Sequence, residues 1–267
     1  MNQTFGFIGT GNMGGALAVA AAKTDATLLL CNRTPAKAEV LAKELGCATA
    51  TAAEIARSCD YIFLGVKPQM MGAVLSDLAP IFQERTTPFT LVSMAAGLTM
   101  ETLRKMVGGN WPVIRMMPNT PASVGSGVIL YDATEDVSPA ALEGFCNAMS
   151  KAGYLDRLPE KLIDAGSAVA GCGPAFVSMF IEALSDGGVA CGLPRDKALR
   201  YAAQTVLGTA QLLLESGKHP GQLKDAVCSP GGSTIQGVKA LEEGGLRSAA
   251  INAVQAAHIR NQELGKG

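Results

Sequence analysis

The chain has 267 residues, of which 48% are hydrophobic and 17% are charged, and its formal net charge is −1. A chain of this length can bury a substantial core in one large domain or two ordinary ones. The near-neutral charge gives neither a basic footprint for nucleic acid nor a polybasic patch for a membrane surface. We therefore expect no nucleic-acid partner and no membrane partner.

Cysteine and histidine usage argues against disulfides and metals. The seven cysteines are scattered without a C-x-x-C pair, and neither His219 nor His258 has a nearby cluster of ligands. We expect no metal site, and the natural setting is a reducing cytoplasm. Glycines interrupt the N-terminal apolar stretch, which also lacks a positively charged start, so an export signal is not expected. No later run approaches the roughly 20 apolar residues of a membrane span, which predicts a soluble protein.

The first half of the chain alternates short apolar runs with helical segments. Alternation of this kind predicts a parallel sheet flanked by helices. Pro35 suits a first helical turn, and Gly46 suits the position just past a helix end. Strands are predicted at residues 4–8, 27–31, 61–66, 90–93 and 113–116, with edge strands at 127–130 and 154–158. Helices are predicted at residues 13–22, 35–45, 52–58, 69–78, 99–106 and 138–150.

After residue 158 the strand signals stop. The fold class is therefore α/β, with a Rossmann-like doubly wound parallel sheet in residues 1–159 followed by an all-helical domain in residues 160–267. Long apolar stretches such as residues 202–214 predict that this second domain hides one face in a homodimer or a higher homo-oligomer. Its helices are predicted at residues 161–170, 174–187, 194–215, 220–227, 234–241 and 246–263.

A glycine-rich turn opens the chain immediately after the first predicted strand. Gly9, Gly11 and Gly14 have the G-x-G-x-x-G spacing of dinucleotide-binding turns. In such turns the first glycine permits the tight bend, the second lets a pyrophosphate approach, and the third packs helix on sheet. The pyrophosphate then lies at a helix N-terminus, which favours anions. An ordinary glycine-rich βα turn is the alternative, but its position within a βαβ unit favours a dinucleotide site.

The end of the second predicted strand indicates which dinucleotide is bound. NAD sites usually place an acidic residue there to bind the ribose 2′-hydroxyl. This chain has Asn32, Arg33 and Thr34 instead, and the first acid to follow is Glu39. An arginine offers charge and several donors to a 2′-phosphate, which favours NADP(H), with NADH as an alternative reductant. Arg33 as a simple solvated side chain is the competing interpretation.

Two further segments follow predicted strands. Val66, Lys67 and Pro68 follow one strand, and the segment 93–97 ends another. Ligands of open α/β sheets lie at this carboxyl edge, so both segments are expected beside the nicotinamide ribose or its ring. For Lys67, an unpartnered surface charge fits the sequence equally well.

Six motifs follow one another along the chain: F-I-G-x-G-N-M, V-K-P, S-M-A-A-G, M-P-N-T-P, E-A-L-x-D-G-G-V and S-P-G-G-x-T. In these motifs and in their order, the whole chain resembles the pyrroline-5-carboxylate reductase family. The resemblance implies a Rossmann-like domain, a helical domain that dimerises, and NADPH-dependent reduction of Δ1-pyrroline-5-carboxylate to L-proline, at a site completed across the subunit boundary.

The last of these motifs, at residues 229–234, is a Pro-Gly-Gly loop running into a predicted helix. Its successive N–H groups can form an anion nest suited to the ring carboxylate of an imino acid. The Thr234 hydroxyl can hydrogen-bond the ring nitrogen, so Thr234 is the predicted catalytic residue. Ser229, Ser233 and Thr234 can alternatively cap the helix, and both roles are compatible. The predicted substrate-binding residues are Gly231, Gly232, Ser233 and Thr234.

The chain departs from the family's usual pattern at Cys172 and Phe176, which puts any hydroxyl role there in doubt. Glu182 and Asp186 are interpreted as structural. A 3-hydroxyacid dehydrogenase, with Lys161 as its acid/base group, and a non-catalytic NADP-binding sensor are the competing functions. The predicted cofactor-binding residues are Gly9, Gly11, Asn12, Met13, Asn32, Arg33, Thr34, Val66, Lys67, Pro68, Ala95, Ala96, Gly97 and Asn119.

Overall fold

The computed structural model describes residues 3–264, and a single eight-stranded sheet runs through this part of the chain. The strands are short and mostly buried. Their bounds are β1 (Thr4–Ile8), β2 (Thr27–Cys31), β3 (Ala48–Thr49), β4 (Tyr61–Leu64), β5 (Thr90–Ser93), β6 (Val113–Met117), β7 (Gly127–Ala133) and β8 (Gly153–Arg157).

The strand order is β3-β2-β1-β4-β5-β6-β7-β8. The six strands β1 to β6 pair in parallel, β7 runs antiparallel to β6, and β8 is parallel to β7. The chain order reverses between β1 and β4, which makes this the switch point where ligands of doubly wound sheets bind. The register pairs Ile8 with both Cys31 and Leu64, and Leu64 with Ser93. The carboxyl ends of these four strands are therefore level.

Helices cover both faces of the sheet, as the alternating sequence predicted. One apolar core packs Leu17, Ala38 and Phe145 against the sheet, and the other packs Ile55 and Leu75 against the opposite face. The doubly wound α/β fold class is confirmed. The helices are α1 (Asn12–Ala21), α2 (Pro35–Leu45), α3 (Ala52–Ser58), α4 (Pro68–Glu84), α5 (Met100–Val107) and α6 (Pro139–Met149).

Helix α4 continues past the point where the sequence predicted its end. The predicted end is residue 78, yet the helix includes Pro80 and ends at Glu84. Met71, Leu75, Leu78 and Phe82 keep helical spacing through the proline and are all buried. Because Pro80 lies near the helix end and its apolar stripe is continuous, burial outweighs the lost backbone hydrogen bond.

The chain divides into two compact units. The first contains the described residues up to Cys172 and those from Ala257 onward, and the second is Gly173–Ala256. The helix Glu160–Ala170, which follows the last strand, belongs to the first unit and forms ion pairs with Arg115 of β6. The remaining helices are α7 (Glu160–Ala170), α8 (Gly173–Ala190), α9 (Arg195–Ser216), α10 (Pro220–Ala226), α11 (Ser233–Glu243) and α12 (Leu246–Leu264).

The second unit has almost no core of its own. Within Gly173–Ala256 the buried hydrophobic side chains are those of Ala198 and Ala202, whereas Leu207 and Leu214 are 60% and 83% exposed. The stretch Glu160–Ala190 is also long and apolar enough to cross a membrane by length and composition, although the sequence had predicted no such run. Apolar helices that pack in an interface meet the same criterion.

Candidate active site

The glycine turn between β1 and α1 has the shape of an anion cradle. Gly9 has a φ of +102°, which disfavours any residue with a side chain, and its amide donates to Cys31 O at 2.8 Å. A Cβ on Gly14 would lie 2.1 Å from Gly9 O, so α1 packs directly against the turn. A Cβ on Gly11 would meet nothing within 4 Å. The turn is thus closed on the sheet side and open where a phosphate would approach.

The N-terminus of α1 offers its amide groups to that open side. Gly11 is the N-cap residue, no side chain within the described chain caps it, and the first turn contains no acidic residue. The free N–H groups and the helix dipole favour an anion at this position.

A cavity of about 850 Å³ surrounds this helix N-terminus. It lies along the carboxyl ends of β1, β2 and β4, which is the edge that contains the switch point. Helix α4 lines the cavity with the apolar Met70, Val74 and Leu78 and with the acidic Asp77. Eight predicted cofactor-binding residues line it: Gly9, Gly11, Asn12, Asn32, Arg33, Thr34, Val66 and Lys67.

Two cationic side chains stand at the β2 end of the cavity. Arg33 and Lys37 are both exposed, and neither forms an ion pair with any described residue. Asn32 is held beside them, because its Nδ2 donates to Thr10 Oγ1 at 2.9 Å and its Oδ1 accepts from Thr34 N at 3.2 Å. This end of the cavity is therefore suited to a polyanionic group.

Some cavity residues were missed by the sequence interpretation. Gly65 follows β4, and a Cβ there would lie 2.3 Å from Gly9 O. The backbones after β1 and β4 therefore approach each other so closely that position 65 has no room for a side chain. Its position directly before Val66 was the available signal. Lys37 lies in the first turn of α2. Cys31 ends β2, and burial raises the pKa of its thiol.

Four predicted cofactor residues, one at the start of a helix and three after β5, do not line this cavity: Pro68, Ala95, Ala96 and Gly97. Pro68 begins α4, and the other three lie within the loop 94–98, which follows β5. Since β5 pairs in parallel with β4, this loop leaves the same edge of the sheet. Ala95 N donates to Ser93 Oγ at 3.3 Å, which anchors the start of the loop, and Ala96 is exposed.

Met13 and Asn119 also lie outside the cavity lining. Met13 is half-buried in the first turn of α1. The Asn119 amide is 7% exposed, donates to Ala170 O at 2.9 Å and accepts from Val128 N at 2.8 Å. Asn119 thus ties the end of β6 to β7 and to the last residue of α7.

Arg115 on β6 is a buried cation with two acidic partners. Its side chain is 2% exposed, its Nη2 lies 2.6 Å from Asp164 Oδ1, and its Nη1 lies 3.5 Å from Glu160 Oε1. Both acids stand on α7, one turn apart. The ion pairs fix the start of α7 against the sheet, since removing either partner from a buried pair is strongly destabilising. Lys161, the acid/base candidate of the dehydrogenase alternative, is exposed and does not line the cavity.

The predicted substrate loop lies in the second unit. Gly231 has a φ of +70°, and Gly232, whose amide donates to Ser229 O at 3.0 Å, is the N-cap of α11. No side chain of the described chain caps this helix, so the alternative interpretation of Ser229, Ser233 or Thr234 as a helix cap is wrong. Ser233 and Thr234 occupy the first two helical positions and are exposed. A glycine at the N-cap leaves the amide groups free for a ligand.

The carboxylates of α8 have separate surroundings. Asp186 pairs with Arg195 at the start of α9, and the same guanidinium donates to the buried Ser185 Oγ at 3.2 Å. Glu182 is exposed. The pairing of Asp186 joins α8 to α9, in keeping with a structural role. Across residues 3–264, no group of three His, Cys, Asp or Glu side chains is placed to hold a metal ion.

Two segments of the chain match models of known protein families. Residues 160–264 match the family model described as pyrroline-5-carboxylate reductase dimerisation. Residues 4–97 match the model described as NADP oxidoreductase, coenzyme F420-dependent.

Full-length relatives agree with these matches. A pyrroline-5-carboxylate reductase of Escherichia coli is 38% identical over 271 residues, covering 100% of both chains. The structure of a pyrroline-5-carboxylate reductase from Coxiella burnetii superposes with a TM-score of 0.89 at 32% identity, covering 100% of both chains. A pyrroline carboxylate reductase from Plasmodium falciparum, crystallised with NADP bound, has a TM-score of 0.85 at 31% identity and covers 99% of this chain and 98% of its own. The chain belongs to the pyrroline-5-carboxylate reductase family.

Proposed function

We infer that the protein reduces Δ1-pyrroline-5-carboxylate to L-proline with NADPH, the last step of proline biosynthesis. The observation that carries this function is a pair of uncapped helix N-termini, each preceded by glycine. Gly11 precedes α1 and Gly232 precedes α11, and neither helix has a side-chain cap from the described residues. One end suits a pyrophosphate and the other a carboxylate, which are the anionic groups of the two reactants.

NADP(H) is the cofactor that fits the first site. The cavity places Arg33 and Lys37 at the end of β2, and Asn32 is fixed between them and the glycine turn. Charge-assisted hydrogen bonds from these side chains suit a 2′-phosphate. NADH remains an alternative reductant, because the pyrophosphate cradle does not depend on the phosphate that distinguishes the two cofactors.

The substrate carboxylate is assigned to the Gly231–Gly232 turn and the first amides of α11. NADPH, when bound, supplies the hydride that adds to the carbon of the C=N bond. The Thr234 hydroxyl donates a hydrogen bond to the ring nitrogen, which gains electron density as the hydride arrives. Thr234 is exposed at the second helical position, so its hydroxyl can turn toward a ligand beside the same helix end.

The helical part of the chain is assigned to assembly. We propose residues 1–159 as the cofactor domain and residues 160–267 as the dimerisation and substrate domain, with a homodimer as the minimal assembly and a higher homo-oligomer as the alternative. The apolar side chains exposed in the second unit support this assignment. A cytoplasmic location is part of the same proposal, since both the substrate and the cofactor are soluble metabolites.

An assay of NADPH oxidation with different substrates tests the function. Purified protein should oxidise NADPH when pyrroline-5-carboxylate is added, and proline should accumulate in equal amount. The controls are a 3-oxoacid, which a hydroxyacid dehydrogenase would reduce, and a reaction without substrate. Turnover of the 3-oxoacid alone, or binding of NADPH without any turnover, would contradict the proposed reductase.

A further inference from the structure

Glu160 contacts the helix that follows the loop 94–98. Its Oε1 accepts a hydrogen bond from Met100 N at 2.7 Å, and Met100 is the first residue of α5. A carboxylate is favoured at this helix end by the dipole and by the free amide. Thr99 Oγ1 accepts a hydrogen bond from the amide of the third helical residue, Thr102, at 3.1 Å. The end of the loop is therefore fixed by Glu160, as its start is fixed by Ser93.

Glu160 is itself held by two other elements. The buried Arg115 guanidinium of β6 lies 3.5 Å from its carboxylate. Its backbone amide donates to Asp132 Oδ2 of β7 at 2.8 Å. The carboxylate thus has a fixed position relative to the sheet, and it transmits that position to α5 and to the loop before it.

The loop 94–98 stands where the nicotinamide half of a dinucleotide is expected. The cavity already described is lined by the glycine turn and by the end of β2, the positions proposed for the pyrophosphate and the adenosine end. In a doubly wound sheet the second mononucleotide lies across the switch point, over β4 and β5. The loop follows β5 at that edge, and Ala96 at its centre is exposed.

We propose that Glu160, held by Arg115, is a positioning residue that sets the loop 94–98 against the nicotinamide ring for hydride transfer. This inference rests on the proposed reductase function. A displaced ring would still bind, because most of the anchoring contacts lie at the pyrophosphate and the 2′-phosphate. Turnover would fall, since hydride transfer depends steeply on donor–acceptor geometry.

Asp164 provides the matched control for the charge. Glu160→Ala removes the acceptor of Met100 N, and we expect its kcat per folded molecule to fall about tenfold. Asp164→Asn also removes a negative charge from Arg115 but leaves the loop contact intact, so its kcat should stay within about twofold while its melting temperature falls. Glu160→Gln keeps an acceptor oxygen and should recover most of the activity.

Met100 provides a second pair that leaves the acidic residues untouched. Met100→Pro deletes the N–H that donates a hydrogen bond to Glu160, at a first helical position where proline is tolerated. Met100→Ala keeps the N–H and removes the same buried side chain. We expect kcat to fall in the proline variant as in Glu160→Ala, and to stay near wild type in the alanine variant. Inhibition by 2′,5′-ADP, which carries only the adenosine end of the cofactor, should be unchanged in all variants.

The ranking of variants decides the inference. It is overturned if Asp164→Asn loses as much turnover as Glu160→Ala, or if Met100→Pro turns over as fast as Met100→Ala. Failure of the proposed function has a different signature, since the wild-type protein itself would then show no NADPH oxidation with pyrroline-5-carboxylate.

Discussion

At the scale of single residues, Arg33 is the side chain with which the cofactor can be tested. Arg33→Ala removes a charge-assisted contact to the 2′-phosphate and should raise the Michaelis constant for NADPH by about tenfold to a hundredfold. The constant for NADH should change little. Steady-state kinetics with both cofactors measure the difference. Lys43→Ala is the control, because it removes a positive charge from the last turn of α2, the helix that follows Arg33, at a position outside the cavity. Equal effects on both cofactors would exclude the assigned role.

Thr234 can be tested in the same way for catalysis. Thr234→Ala should lower kcat by about a hundredfold or less, because water can partly replace the lost donor. Thr234→Ser keeps the hydroxyl and should recover most of the rate. Since the N-cap of α11 is Gly232 and not a hydroxyl residue, we expect the melting temperature of both variants to stay close to wild type. A destabilised alanine variant with an unchanged kcat would show that the hydroxyl has no part in turnover.

The sequence was sufficient to predict site residues that belong to a short local motif. Gly9, Gly11 and Arg33 belong to a turn and a strand end that can be recognised without the tertiary structure. It missed Gly65 and Lys37, because their positions become meaningful only after β4 pairs with β1 and α2 packs beside the turn. It also grouped Asn119 with the cofactor residues, whereas the amide of this side chain is engaged with α7 and β7.

At the scale of elements, two glycines of the β1–α1 turn have different roles: Gly14 is needed for folding and Gly11 for cofactor binding. Gly14→Ala places a Cβ 2.1 Å from Gly9 O, a backbone atom that cannot move aside, and should lower the melting temperature markedly. Gly11→Ala meets nothing within 4 Å, so the protein should fold normally. Its new methyl group projects into the open side of the cradle and should reduce NADPH affinity at least about tenfold.

Thermal melting and NADPH titration on the same preparations separate the two substitutions. The assignment of the cradle would be contradicted if Gly11→Ala bound NADPH with wild-type affinity, or if both variants lost stability to the same extent. The two glycines are only three residues apart, so each serves as the control for the other.

Element boundaries were predictable wherever the sequence marked them. Pro35 and Gly46 begin and end α2 as predicted, with Gly46 at a φ of +66°. Strand β3 was missed because its two residues are exposed and too few to show a periodic pattern. The predicted end of α4 at residue 78 is too early, because the buried apolar stripe continues to Phe82 and the helix ends at Glu84. Both errors concern features that depend on packing partners.

At the scale of the whole molecule, the second unit indicates why assembly and activity should be linked. A helical unit in which Ala198 and Ala202 are the buried hydrophobic residues among those described cannot be stabilised by its own core. Exposed apolar patches of this extent are typical of interfaces between subunits. The sequence could predict apolar helices but not which faces remain open, because that depends on how α8 and α9 pack.

The homodimer should therefore be required for turnover. Leu207 and Leu214 are seven residues apart on α9 and lie on one face of the helix, and they are 60% and 83% exposed in the single chain. Lysines at both positions would carry charge into an interface built on these side chains, which should convert the dimer to an inactive monomer. Val40→Lys is the control, since Val40 is 61% exposed but lies on α2 in the first unit. Light scattering and the reductase assay on the same samples check the prediction, and a stable monomer with full activity would contradict it.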